Sequence, residues 1–133
     1  MIYRFTSAAE WVAAQLSGEF RSADLAAEGF IHCSERAQIL RAAKKYFPDH
    51  TELTLLQIDE PTLGRTLVCE DLTGSGTFPH VYAAIPIAAV VAVYEMRKER
   101  HGKWSLPKTI DICFTVKKGT SSMMSMFLGT VDA

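Results

Sequence analysis

The sequence contains little of what marks disulfide-rich, membrane or fibrous proteins. Its 133 residues include only three cysteines and five prolines, and the widely spaced cysteines are typical of reduced thiols rather than of a disulfide framework. No run approaches the roughly 18 to 20 apolar residues that a membrane-spanning helix needs, and the first residues lack the basic and then apolar order of a signal peptide. We therefore expect a cytoplasmic protein that does not contact a membrane.

The chain also lacks a strong net charge, since its formal charge is −1. Residues 1–96 carry 7 basic and 12 acidic side chains, whereas residues 97–133 carry 7 basic and 3 acidic ones. The basic run Arg97 to Lys103 is explained more simply as a solvated connector than as a phosphate-binding patch. The acidic body makes nucleic acid an unexpected partner. We predict a main domain over residues 1–96 and a basic C-terminal extension over 97–133, which either belongs to that domain or forms a tail.

What the sequence does contain is enough apolar residues, 48% of the total, to build one hydrophobic core. Ser7 and Glu10 have the spacing of a capping box, which predicts a helix that begins at Ser7 and ends at Gly18. Ser34 resembles the N-cap of a second helix that ends at Pro48. Apolar and alternating runs predict short strands at 1–5, 30–34, 53–58, 66–70, 78–82, 88–94 and 110–116. This mixture of helices and strands predicts an α+β fold in which the run at 53–58 forms a central strand.

Two of the predicted strands carry a histidine. Alternate side chains of a strand share a face, so His32 lies on the same side as Phe30 and Ser34, while Cys33 points to the opposite side and belongs to the core. The same rule places His80 beside Phe78 and Tyr82. Imidazole donates or accepts a hydrogen bond and changes charge near neutral pH. The two histidines are therefore either ligand-binding groups or buried side chains that backbone carbonyls satisfy.

Other polar residues have two interpretations as well. Arg4 interrupts the apolar first strand, where it either faces solvent or binds an anion. Asp24 and Glu28 would lie one turn apart on a helix, but a solvated face explains them more simply than an acid–base pair. The stretch from Gly74 to Gly76 lacks the frame of a phosphate-binding loop and is interpreted as a hairpin turn. The histidines lack the spacing of metal ligands, so we expect no metal site.

Five segments together resemble a bacterial family of unknown function, domain-of-unknown-function family 952. They are MIYRFTSAAEW at the start, GEF at 18–20, EGFIHCS at 28–34, LLQID at 55–59 and FPHVYAAIP at 78–86. The resemblance covers roughly residues 1–96. It implies an ADP-ribosyltransferase-like fold, in which two small, mostly antiparallel sheets with two or three flanking helices enclose a central, nucleotide-sized cleft.

The order of these features is also similar to that of the tRNA 2′-phosphotransferases on the same fold, which have a polar residue on the first strand, a tryptophan-bearing helix and a histidine-containing strand. This similarity implies that Arg4 holds the nicotinamide-side ribose of NAD. It implies that His32 and Ser34 form the polar end of the second motif, and it adds Trp11 to the ligand-binding residues. Arg4 departs from the pattern, because a histidine is more usual there.

The third element of such a site is a glutamate that polarises a ribose hydroxyl, and Glu70 is its nearest counterpart here. His80 and Tyr82 are expected at the same rim. The resemblance thus implies His32, His80 and Glu70 as catalytic residues and NAD as a cofactor or substrate.

Three functions follow from these residues and this resemblance. The first is an enzyme that transfers an ADP-ribosyl or phosphoryl group from a ligand that contains ribose and phosphate. The second is a module that binds such a small molecule without turnover. The third is an interaction protein, a monomer or weak homodimer, in which the alternating strand of the tail pairs with another copy.

Overall fold

The computed structural model describes residues 1–110, and it has the α+β architecture that the sequence predicts. The strands are β1 (Ile2–Thr6), β2 (Glu19–Phe20), β3 (Ile31–His32), β4 (Glu52–Ile58), β5 (Leu67–Glu70), β6 (Phe78–Val81), β7 (Ile85–Pro86) and β8 (Val90–Arg97). The α-helices are α1 (Ala8–Ser17), α2 (Ala23–Glu28), α3 (Ile39–Tyr46) and α4 (Glu60–Leu63). Within residues 1–110, no helix is long and apolar enough to cross a membrane.

The first sheet has the strand order β1-β4-β8, and both pairings are antiparallel. The predicted central strand at 53–58 is therefore confirmed, because β4 lies between the other two strands. Its side chains are buried on both faces from Leu53 to Ile58. A continuous apolar run is typical of such a strand, since neither face meets water.

A second sheet has the order β3-β6-β5, and a two-stranded pair joins β2 to β7. The described residues thus form three small antiparallel sheets, where the family resemblance implies two. Strands β2 and β7 contain only two residues each. Strands this short show no alternating pattern in the sequence. The stretch from Gly74 to Gly76 connects the antiparallel strands β5 and β6, which confirms the predicted hairpin turn.

One backbone bridge fastens the second sheet to the first. The N–H of Tyr3 donates to the carbonyl of Ser34 at 2.8 Å, and the N–H of Ser34 donates back to Tyr3 at 2.8 Å. The prediction that Ser34 caps the second helix is therefore wrong, because its backbone continues the extended segment. Glu35 forms the capping box with Gln38 instead, at the 3₁₀ turn that leads into α3.

Helix α1 begins and ends where the sequence predicts. The N–H of Glu10 donates to Oγ of Ser7 at 3.1 Å, and the N–H of Ser7 donates to Oε1 of Glu10 at 3.4 Å. Gly18 ends the helix with a φ of 91°, a left-handed conformation that glycine adopts without steric cost.

We expect Ser7→Ala to lower the free energy of unfolding by about 1 kcal/mol, because the N–H of Glu10 then loses its acceptor at the helix end. Urea unfolding measures this loss. Ser75→Ala, which removes an exposed loop hydroxyl, is the control and should change stability by less than about 0.5 kcal/mol. Equal effects of the two substitutions would contradict the capping role.

The first sheet separates two hydrophobic clusters. One cluster lies where a face of the first sheet packs against α1 and the second sheet, and it includes Phe20, Ile31 and Leu56. The other face packs against α3 and includes Trp104 and Ile110. Residues 3–5 of β1 line the cavity described below.

Part of the basic extension is among the described residues. The side chains from Glu99 to Lys103 are exposed in a turn, in which the N–H of Gly102 donates to the carbonyl of Glu99. This turn is the solvated connector that the sequence predicts. Beyond it, Trp104 and Ile110 are buried against the first sheet, so residues 104–110 pack on the body. The predicted strand at 110–116 lies outside the described residues, apart from its first position.

Candidate functional site

A cavity of about 630 Å³ lies where the edge of β1 meets the second sheet. Six aromatic and seven polar residues line its wall. The aromatic residues are Tyr3, Phe5, Phe30, Tyr46, Phe47 and Phe78. The polar residues are Arg4, Glu28, His32, Ser34, Thr73, Ser75 and His80. The cavity therefore offers apolar surface for a planar ring beside hydrogen-bonding groups.

His32 and His80 lie next to each other on this wall, because they are directly paired across strands β3 and β6. Their ring centroids are 5.3 Å apart in an edge-to-face arrangement. The ring of Phe30 contacts both imidazoles, with centroid distances of 4.8 Å to His32 and 4.3 Å to His80. The predicted alternation of faces is confirmed, since Ile31 and Cys33 point into the core instead.

The imidazole of His32 is supported by a carboxylate. Nδ1 of His32 lies 2.9 Å from Oδ2 of Asp24, and the backbone N–H of His32 donates to the same oxygen at 2.9 Å. Burial by itself would raise the pKa of Asp24, but this backbone hydrogen bond, the Ser22 hydroxyl and the Arg4 guanidinium together lower it to about 2. Asp24 is therefore ionised at neutral pH and accepts every one of these bonds.

A second carboxylate supports His80 in the same way. Nδ1 of His80 lies 2.9 Å from Oε2 of Glu70, and the hydroxyl of Tyr82 donates to that oxygen as well. These two hydrogen bonds, from Tyr82 first and then His80, lower the pKa of Glu70, and the bond to Glu70 raises the pKa of Tyr82. The His80 side chain is only 7% exposed, whereas the His32 side chain is 47% exposed.

The two carboxylates determine the tautomer of both histidines. An ionised carboxylate only accepts hydrogen bonds, so each neutral imidazole carries its proton on Nδ1 and has a lone pair on Nε2. Oε1 of Glu28 lies 3.8 Å from Nε2 of His32. Among the described residues, Nε2 of His80 has no hydrogen-bond partner. The nitrogen that the supporting carboxylate leaves unprotonated is therefore Nε2 in both neutral rings, and such a nitrogen can accept a proton.

Arg4 reaches the cavity but is already paired. Its Nη1 donates to Oδ2 of Asp24 at 2.8 Å and to the carbonyl of His32 at 2.9 Å. The guanidinium also lies over the ring of Phe20, 6.0 Å from its centroid. The interpretation of Arg4 as a freely solvated side chain is therefore excluded, because only 19% of the side chain is exposed.

The structure brings most of the predicted site residues together. Four of them line the cavity: Arg4, His32, Ser34 and His80. Glu70 and Tyr82 are not on the cavity wall. Glu70 accepts from the Tyr82 hydroxyl and lies 2.9 Å from Nδ1 of His80. Their roles toward a ligand stay predictions.

Trp11 does not join this group, and its proposed ligand contact is corrected by the structure. Its side chain is 4% exposed and belongs to the core cluster beneath α1. The resemblance implies this contact because the related motif includes a tryptophan-bearing helix. In the fold, Trp11 lies on the face of α1 that packs against the sheet, as is usual for a large aromatic residue on an amphipathic helix.

Asp24 is the residue that the sequence interpretation missed. Its side chain is 13% exposed, so it does not lie on the solvated face that was expected. The signal that could have found it is its position one turn before Glu28 and eight residues before His32, on the short helix that leads into β3. Glu28, its expected neighbour on a solvated face, is indeed exposed.

Cys33 is among the residues that line the cavity, but its side chain is buried. Burial raises the pKa of the Cys33 thiol to about 12, so this residue is a core side chain and not a nucleophile. Cys69 is free and exposed. Within residues 1–110, no three side chains of the histidine, cysteine, aspartate and glutamate types are placed to hold a metal ion.

The lowered pKa of Asp24 predicts a stability that depends on pH. Its pKa moves from 3.8 to about 2 on folding, so the contribution is present above pH 4 and is lost as the pH falls through the folded value. A shift of this size corresponds to about 2 kcal/mol. We expect urea unfolding of Asp24→Asn between pH 6 and pH 2.5 to show a shallower acid limb than the unaltered protein. A limb of unchanged slope, or an equal change in the exposed control Asp71→Asn, would contradict this account.

Comparisons with known proteins place the chain in a family. Residues 5–93 match the family described as "Protein of unknown function (DUF952)". A crystal structure of protein CC0527 from Caulobacter crescentus is 32% identical, covers 85% of this chain and 97% of its own, and superposes with a TM-score of 0.72. The solution NMR structure of CC0527 is 34% identical, covers 84% and 94%, and has a TM-score of 0.68. No curated protein is significantly similar. The chain therefore belongs to the DUF952 family of proteins of unknown function.

Proposed function

We propose that this protein binds an NAD-like nucleotide in the cavity and transfers its ADP-ribosyl group, with a fold and chemistry of the ADP-ribosyltransferase class. One observation carries the proposal. Two imidazoles, each supported by a carboxylate, lie side by side on the wall of an aromatic-lined cavity. Convergent polar groups in a largely apolar cavity are characteristic of ligand-binding sites.

The size and lining of the cavity support a nucleotide-type ligand. Small-molecule sites have volumes of roughly 300 to 1,000 Å³, and this cavity has about 630 Å³. Phe5, Phe47 and Phe78 offer surfaces on which a planar heteroaromatic ring stacks. The hydroxyls of a ribose would hydrogen-bond to Ser34 and to the two Nε2 atoms, whose residues all line the cavity.

The charges around the histidines favour chemistry at the ribose carbon. Asp24, Glu28 and Glu70 surround them, and the nearby guanidinium of Arg4 is paired with Asp24. Cleavage of the bond between ribose and nicotinamide develops positive charge on the sugar ring, which nearby carboxylates stabilise.

In the proposed step, the C–N bond breaks and nicotinamide leaves with the electron pair as a neutral molecule. The oxygen of a water or acceptor hydroxyl forms the new bond to the ribose carbon. Its proton passes to Nε2 of His80, the more buried of the two bases. No electron transfer takes place, so the step needs no oxidant or reductant.

A second candidate is phosphoryl transfer from a ligand with ribose and phosphate. The paired Nε2 atoms favour it, because one imidazole can take a proton while the other returns one. The pairing of Arg4 with Asp24 weighs against it, because this guanidinium would have to leave a carboxylate to bind phosphate.

The test incubates the full chain with NAD and measures free nicotinamide by chromatography, together with the shift in thermal unfolding. We expect release by the unaltered protein, at least 100-fold slower release by His32→Ala and Glu70→Gln, and no change in Glu99→Gln, whose carboxylate lies in the exposed turn. Stabilisation by NAD without release would show a binding module. The absence of both nicotinamide release and stabilisation by NAD would refute the proposal. Turnover of a ribonucleoside phosphate instead would select phosphoryl transfer.

A further inference from the structure

We propose that Asp24 is the positioning residue of this site, on which the orientation of Arg4 and the protonation pattern of His32 both depend. Its effect on turnover rests on the proposed function. Its effect on the imidazole does not, because it follows from the contacts of Asp24 alone.

A single oxygen of Asp24 makes most of these contacts. Oδ2 accepts from Nη1 of Arg4 at 2.8 Å, from the backbone N–H of His32 at 2.9 Å and from Nδ1 of His32 at 2.9 Å. The other oxygen, Oδ1, accepts from the hydroxyl of Ser22. The carboxylate therefore joins β1, α2 and β3, three elements that are separate in the chain.

The fold brings Asp24 to this point through a short connection. Asp24 is in the first turn of α2, and Gly29 ends the helix with a φ of 89°, so that the chain turns back along the helix into β3. His32 then lies beside the start of α2 instead of beyond its end. Because Asp24 binds the backbone N–H of His32 as well as the ring, it fixes both the main chain and χ angles of that residue.

Two carboxylates compete for the imidazole proton of His32. Asp24 lies 2.9 Å from Nδ1, while Glu28 lies 3.8 Å from Nε2 and is half exposed. The shorter contact with Asp24 places the proton on Nδ1 and leaves the Nε2 lone pair for a ligand. A neutral amide at position 24 would be a weaker acceptor than a carboxylate, so the proton would move toward Nε2 and Glu28.

The test is the tautomer of His32 in the ¹⁵N-labelled full chain, measured by long-range ¹H–¹⁵N correlation at a pH where the ring is neutral. We expect Nδ1 to be protonated in the unaltered protein and the Nε2–H form to gain population in Asp24→Asn. Asp59→Asn, which removes a carboxylate that accepts from Thr62 elsewhere, should leave the pattern unchanged. If the unaltered protein carries the His32 proton on Nε2, the inference is overturned without any variant. A folded Asp24→Asn in which the His32 tautomer is unchanged would overturn it as well.

Turnover gives a second readout that separates this inference from the proposed function. If NAD is a substrate, we expect Asp24→Asn to lower kcat at least 10-fold with a smaller change in KM. The reason is that the bound ligand then meets a protonated Nε2 of His32 instead of its lone pair. A fully active Asp24→Asn would overturn the positioning role. If NAD is not turned over, the proposed function fails, and the tautomer measurement still decides the role of Asp24.

Discussion

Replacement of His80 by asparagine is expected to lower the rate of nicotinamide release from NAD by 100-fold or more. The asparagine amide retains a donor near the position of Nδ1, so the hydrogen bond to Glu70 survives. The base at Nε2 is lost. General acid–base catalysis by a positioned side chain contributes roughly 100- to 10,000-fold in rate, which sets the expected size of the effect.

The matched control is His101→Asn, since His101 is an exposed histidine that also lies beside a carboxylate, Glu99, at 3.3 Å. It is outside the cavity wall and should leave the rate within a factor of two. Steady-state assays at saturating NAD compare the two variants, and circular dichroism verifies that His80→Asn is folded. A folded His80→Asn that releases nicotinamide at the original rate would remove His80 from the mechanism.

The largest loss of stability is expected from Phe20→Ala. Phe20 is 0% exposed and lies at the centre of the core cluster between α1 and the two larger sheets. Its removal leaves a cavity that the surrounding strands cannot close, and Phe→Ala changes of this kind cost about 3 to 5 kcal/mol. The melting temperature should therefore fall by about 10 °C or more.

Leu16→Ala is the control for this prediction, because it removes apolar atoms from a side chain that is 85% exposed. We expect it to change the free energy of unfolding by less than about 0.5 kcal/mol. Urea unfolding of the two variants at one pH measures the difference. Similar losses in both would show that the packing around Phe20 contributes less than its burial indicates.

The pairing of the two histidines shows how much of the site follows from local patterns. Alternation along a strand predicted that His32 shares a face with Phe30 and that His80 shares one with Tyr82. The fold then placed these two faces together, because β3 and β6 pair with His32 directly opposite His80. Local sequence determines the face of a strand and does not determine its neighbour, so the side-by-side arrangement could not be derived from either segment alone.

For two other residues, Trp11 and Asp24, the structure differs from the prediction. The resemblance implies Trp11 as a ligand contact, and the helical spacing of Asp24 and Glu28 predicts a solvated face. Burial reversed both assignments, since Trp11 is in the core and Asp24 has three donors on one oxygen. A carboxylate is buried only where donors from other segments converge on it, and that convergence is a property of the fold.

The sequence by itself determined the α+β class, the central position of β4, the bounds of α1 and the side of each strand on which the histidines lie. These features depend on periodicity and caps, which act over a few residues. Only the tertiary structure decided that Asp24 and Glu70 support the two imidazoles and that one cavity collects Arg4, His32 and His80. Such contacts join residues as far apart in the chain as His32 and His80, and their distances are set by how sheets and helices pack rather than by any local preference of the chain.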